Sequence, residues 1–173
     1  MLFKGILCIL ILAVGAVMGQ LKAKTFDNRV YHLQDLITTL KVLESEMKYR
    51  LDPLPDLFAR IGAIKPGMSS DLLITAAELL RTRAGTDLPT CWSEAVEKAY
   101  GESALKAEDK RIVSDLGIEL GKTDLNSQTG MFLRTFSLLE VQVLEATDEK
   151  KSKGRMYKSL GPAVGMLIVI LLI

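Results

Sequence analysis

Histidine occurs once in these 173 residues, tryptophan once and cysteine twice, and aromatic residues make up 6%. A single histidine, His32, cannot furnish the nitrogen-rich ligand set of a zinc site, and its position near the start of a helical pattern suits a surface or interfacial side chain. Cys8 falls in an apolar run and Cys91 in the polar middle, so no disulfide framework can be read from them. Cys91 stands beside Trp92 and reads as a buried structural residue rather than a reactive thiolate.

Charge of one sign is not in excess either. Of 22 basic residues only Lys4 lies in the first apolar run, which leaves the middle formally neutral against 21 acidic residues. A nucleic-acid-binding surface carries a strong basic excess, and that class is set aside. No G-x-x-x-x-G-K-[ST] occurs, and Gly117 with Gly121 lacks both the lysine and the preceding strand of a phosphate loop. Glu44 and Glu46, two residues apart, fall on different faces of a helix and cannot act as a carboxylate pair. The chain is expected to be no enzyme and to need no metal or cofactor.

Hydrophobic residues nevertheless make up 49% of the chain, beside 25% charged ones, and the apolar excess is concentrated at the two ends. From Leu2 to Leu21 the one charge is Lys4, and from Leu160 to Ile173 there is none. Some 20 helical residues cross the ~30 Å hydrocarbon layer, which the first run satisfies. The second reaches about 21 Å alone and spans if Met156 and Tyr157 join it and Lys158 snorkels. The expected organisation is a transmembrane helix over 2–21, a helical domain over 22–155 and a second transmembrane helix over 156–173. A cleaved signal peptide, with a poor cleavage site at Val17-Met18-Gly19, stays open for the first run, and a core helix or membrane-dipping tail for the second.

Lys22 and Lys24, with Arg29, follow the first run, while Lys150, Lys151, Lys153, Arg155 and Lys158 precede the second. Positive charge near a span marks the cytoplasmic side, so the middle is expected to be cytoplasmic and both termini outside. Gly15 with Gly19, and Gly161 with Gly165, have the G-x-x-x-G spacing that lets helix backbones approach closely in lipid, a common spacing in membrane helices.

The middle reads as helices. Val30, Leu33, Leu36, Ile37, Leu40, Leu43 and Met47 recur at three- and four-residue steps, forming one buried face of a helix that can run straight out of the first apolar run. Asp52 is the expected N-cap of a second helix with Pro53 and Pro55 in its first turn. A third opens at Ser69 or Ser70, and a fourth, capped by Asp87 or Thr90, carries Trp92, Ala95 and Val96. A fifth runs from Ala107 to Leu116 before Gly117 and Gly121, and a long sixth from Thr123 or Asp124 carries the stripe Leu125, Phe132, Phe136, Leu139 and Val143. No strand signal occurs. Connections of about 3 to 8 residues suit an all-α, six-helix antiparallel bundle flanked by the two membrane helices.

Three runs are distinctive: Leu43-Glu44-Ser45-Glu46-Met47-Lys48-Tyr49 followed by Pro53-Leu54-Pro55; Leu116-Gly117-Ile118-Glu119-Leu120-Gly121 with Asp124 and Gln128; and Arg155-Met156-Tyr157-Lys158-Ser159-Leu160-Gly161. Together, over essentially the whole chain, they resemble the stage III sporulation protein AB family of endospore-forming bacteria. That family is similar to the F-type inner-membrane platform proteins of type II secretion and type IV pilus systems, whose cytoplasmic domains are six-helix bundles. The resemblance implies a scaffold of the channel joining mother cell and forespore. It would sit in the mother-cell membrane with a secretion-type ATPase and other channel proteins as partners, and possible self-association. Pro162 departs from the ordinary apolar residue expected there and is expected to end the helix at Gly161 and restart it. The rival reading, a secreted or envelope-facing helical binding protein with a cleaved signal peptide, predicts loss of about 19 residues by mass spectrometry of the native N-terminus.

Overall fold

The computed structural model describes residues 2–49, 52–83, 85–120 and 125–172, with side chains from residue 9 to residue 170 apart from those at 125–127. Seven α-helices account for nearly all of it: α1 (Leu2–Tyr49), α2 (Leu54–Gly62), α3 (Met68–Thr82), α4 (Leu88–Tyr100), α5 (Ala107–Glu119), α6 (Leu125–Glu149) and α7 (Arg155–Leu172). A five-residue π-helical turn, Lys150–Gly154, joins the last two. No strand occurs among the described residues.

The chain forms two compact units, one of Met1–Val30 with Leu144–Ile173, the other of Tyr31–Val143. It passes between them within α1 and within α6.

In the 31–143 unit α2 packs on α3, α3 on α4 and α4 on α5. The helical periodicity of α1 puts Leu33, Leu36, Leu40 and Leu43 in the core with no solvent exposure. Phe58 of α2 lies against Trp92 of α4, ring centroids 5.5 Å apart, and both are fully buried. From α6 the core receives Met131, Phe132, Thr135, Phe136 and Leu139. Val143 is half-buried.

Three local expectations are corrected. Asp52 makes no cap: α2 begins after Pro53, whose fixed φ of −56° suits a helix entry, and the Asp52 carboxylate accepts a hydrogen bond from Arg60 at 2.8 Å instead. Ser69 and Ser70 lie inside α3, buried, rather than opening it. Gly117 does not end α5, because the indole of Trp92 fills the space where a side chain would stand: a methyl group there would meet Trp92 Cδ1 at 2.3 Å. The indole N–H donates to the Val113 carbonyl at 2.7 Å, one turn earlier on the same helix. Gly121, Thr123 and Asp124 lie outside the described residues, as do the side chains of Lys4, Cys8 and Leu125.

A buried polar chain ties α1 to α3 and α4. Burial pushes the Tyr100 phenol well above its usual range, so it stays protonated and donates to Ser69 Oγ at 2.8 Å. Ser69 donates to one Asp35 oxygen at 2.7 Å, and Lys65 donates to the other at 2.9 Å. Each buried side-chain polar atom among the described residues has a partner, which keeps the cost of polar burial low.

His32 stacks edge-on against Tyr100 with centroids 6.5 Å apart, and burial holds its imidazole below the ordinary value, opposed by the nearby Asp35 charge. With a folded pKa below the unfolded one, the unfolded chain takes up its proton first as pH falls. Stability is therefore complete above the unfolded value of 6.5 and declines as pH drops through it. Thermal melts of the full chain in detergent are expected to show a modest loss between neutral pH and about pH 5.5 that His32→Gln flattens. An unchanged slope in that variant assigns the loss to other groups.

Candidate functional site

The unit containing both chain ends is an α1–α7 pair held together by glycine. A methyl group added to Gly161 would stand 2.5 Å from the Gly15 carbonyl oxygen and 3.0 Å from the Gly19 Cα. One added to Gly19 would meet the Tyr157 carbonyl oxygen at 2.5 Å, and one at Gly15 would meet Gly161 O at 2.7 Å and Gly165 Cα at 3.4 Å. The two G-x-x-x-G spacings thus face each other within one chain, backbone to backbone, a proximity only glycine permits. Gly161→Ala is expected to force the helices apart and cost about 1–3 kcal/mol. The check is the melting temperature of the full chain in detergent; an unchanged melt would contradict this contact.

Helix α7 runs unbroken through Pro162, against the expected interruption at Gly161. Of the clashes proline brings to a helix, the one with the Cβ of the preceding residue is absent here, because Gly161 has none. The departure from α geometry lies upstream instead, at the π-helical turn.

Around that turn sit the expected anchor charges. Lys150 pairs with Asp27 at 2.9 Å and Lys153 with Glu149 at 2.6 Å. Lys22, Lys24, Lys151, Arg155 and Lys158 are exposed, with no carboxylate in ion-pair range among the described residues. Arg29 differs: its side chain is 3% exposed and donates to Glu149 at 2.9 Å, so it is a buried structural charge rather than part of the exposed basic rim. The alternation of charge with apolar residues could not reveal a partner 120 positions away. Phe26 and Tyr157 stack above it with centroids 6.0 Å apart.

Beyond this level the surface becomes apolar. Ile9, Leu10, Val17, Met18 and Leu21 on α1, and Val164, Met166, Leu167 and Ile170 on α7, are each more than half exposed. Among the described residues α1 is the one helix long and apolar enough to cross a membrane, with 11% of its apolar window buried.

In the 31–143 unit Cys91 is free and fully buried, and Glu46 pairs with Arg60 at 3.1 Å on the surface. No group of three His, Cys, Asp or Glu that could hold a metal occurs among the described residues. A shallow groove of about 190 Å³ between α5 and α6 is lined by Leu116, Ile118, Met131 and Leu138 with Asp115, Glu119 and Arg134 at its rim. Sequence patterning did not flag it, because no single helix forms it.

The family model for stage III sporulation protein AB matches residues 4–173. Stage III sporulation protein AB of Bacillus subtilis (strain 168) is 25% identical over 150 residues, covering 87% of each chain. A solved structure of stage III sporulation protein AB (SpoIIIAB) superposes with a TM-score of 0.66 at 22% identity, covering 72% of this chain and 98% of that one, a likeness of fold.

Proposed function

The chain belongs to the stage III sporulation protein AB family, which makes it a sporulation protein, and we propose that it is a non-enzymatic platform anchored in a membrane by the α1–α7 hairpin. In this reading the 31–143 unit is cytoplasmic, both ends lie on the far side, and the helical unit docks a secretion-type ATPase that supplies energy to a transenvelope channel. The kinship with F-type platform proteins, the second membrane crossing by α7 and the mother-cell location belong to the same proposal.

The observation that carries it is the apolar exterior of the hairpin. Burying a large aliphatic side chain contributes about 1.5–3 kcal/mol, so nine of them left more than half exposed to water would forgo on the order of 10 kcal/mol. That equals the whole stability of an ordinary domain. Lipid removes the cost. The basic residues collect at one end of the apolar surface, at the depth where lysine and arginine meet headgroups on the cytoplasmic side. The backbone contact between glycines is a means of helix pairing that works where no hydrophobic driving force separates protein from solvent.

A cleaved leader fits less well, since cutting after Gly19 removes Gly15 and Gly19, against which Gly161 and Gly165 pack. The test of the docking role is co-purification from membranes that contain the other channel proteins. Recovery of the ATPase with the full chain is expected; repeated failure to recover it would overturn the platform reading.

A further inference from the structure

We infer that the cleft beside the π-helical turn binds one anionic phospholipid, its phosphate held by Lys151, Arg155 and Lys158. This rests on the membrane reading above and names a specific ligand for it.

A π-helical turn is wider than an α turn, with residues five apart hydrogen-bonded, and such turns recur at functional sites. Here it gathers Lys150, Lys151, Arg155 and Lys158 around a cleft of about 200 Å³ in which Asp27 is the one carboxylate. Asp27 is already engaged by Lys150 at 2.9 Å. That leaves three cations lining one cleft with no carboxylate in ion-pair range among the described residues. An incoming phosphate would supply the missing charge, and the planar fork of Arg155 suits two of its oxygens.

The cleft does not end in polar surface. Asp27 and Lys158 also line the adjoining groove of about 660 Å³, whose other walls include Val17, Leu21 and Lys24 and lead toward the apolar part of α1. A ligand filling both has an anionic head and an aliphatic tail. Free phosphate would use the first half alone, and an acidic peptide would leave the apolar strip wet. Diffuse attraction between a basic rim and an anionic bilayer spreads over all its charges, whereas a cleft singles out the three unpaired cations that line it.

The test uses the full chain in detergent micelles, offered equal amounts of phosphatidylglycerol and phosphatidylcholine, with bound lipid counted by native mass spectrometry. One phosphatidylglycerol retained with about tenfold preference is expected. Lys151→Gln, Arg155→Gln and Lys158→Gln together should reduce the preference to about twofold or less. The charge-keeping set Lys151→Arg, Arg155→Lys and Lys158→Arg should retain it if both sets melt alike. Removing three exposed charges elsewhere, with Lys41→Gln, Lys98→Gln and Arg111→Gln, should leave it intact. Equal binding of the two lipids, equal loss in the two charge-removing variants, or displacement of the lipid by excess inorganic phosphate would each overturn the assignment. Carbonate extraction of native membranes separates the two failures: a chain that stays in the membrane but shows no lipid preference refutes this inference alone, and a chain that washes off refutes the membrane reading with it.

Discussion

Trp92→Ala is expected to lower the stability of the 31–143 unit by about 3–5 kcal/mol, the range for deleting a large buried aromatic side chain. Trp92 is fully buried, lies against Phe58 and sends its indole N–H to the Val113 carbonyl. Truncation therefore opens a cavity between α4 and α5 and removes a hydrogen bond at once. The carbonyl that loses its indole donor still faces the α5 backbone, so the hydrogen-bond share is the smaller one, about 1 kcal/mol. Denaturation of the full chain followed by circular dichroism measures the loss. Gly117→Ala approaches the same contact from the other helix. Alanine is the better helix former by about 1 kcal/mol, yet its methyl would stand 2.3 and 2.5 Å from two indole atoms and 2.7 Å from the Trp92 Cβ. A rigid ring cannot retreat cheaply, and a net loss of about 1–3 kcal/mol is expected. Trp92 is the sole tryptophan, so its fluorescence reports the displacement directly. A stabilised Gly117→Ala variant would contradict the packing of α4 on α5.

Arg29→Ala is expected to destabilise the hairpin unit by about 3 kcal/mol, the low end of the range for breaking a buried ion pair from one side. The guanidinium is 3% exposed and Glu149 is 14% exposed, so both charges have lost most of their water. Removing the arginine leaves a largely desolvated Glu149 whose salt bridge to Lys153 at 2.6 Å stays in place, which moderates the cost. Replacing both partners with hydrophobic residues of similar volume, Arg29→Met with Glu149→Met, should recover most of the loss, because neither charge is then stranded. A double-mutant cycle on melts in detergent separates these terms. Additive losses in the double variant would show that Arg29 and Glu149 do not act as a pair.

How far the sequence reaches depends on the range of each interaction. The buried stripe of α1, from Leu33 through Leu36 and Leu40 to Leu43, follows from helical periodicity alone, because one helix meets its core with one face. The pairs of glycines at four-residue spacing show that a close approach is possible, and only the fold shows that Gly15 and Gly19 meet Gly161 and Gly165. Errors arose where a residue with a strong local preference was recruited by a distant partner. Gly117 has the form of a helix stop and is instead a seat for Trp92. Asp52 has the form of a cap and instead receives Arg60, eight residues on. Arg29 resembles its exposed neighbours Lys22 and Lys24 and is instead sealed against Glu149. Pro162 has the form of a break, and the glycine before it lets the helix continue. The groove between α5 and α6 draws its lining from two successive helices and the cleft at the π-helical turn from two segments far apart in the chain, and no single periodicity encodes either.

The claim on which the functional reading depends is that the apolar faces of α1 and α7 meet hydrocarbon. Membranes from cells making the full chain, washed in alkaline carbonate and pelleted, test it most directly. Retention of the intact polypeptide in the pellet is the predicted result, and its release into the supernatant would contradict the account.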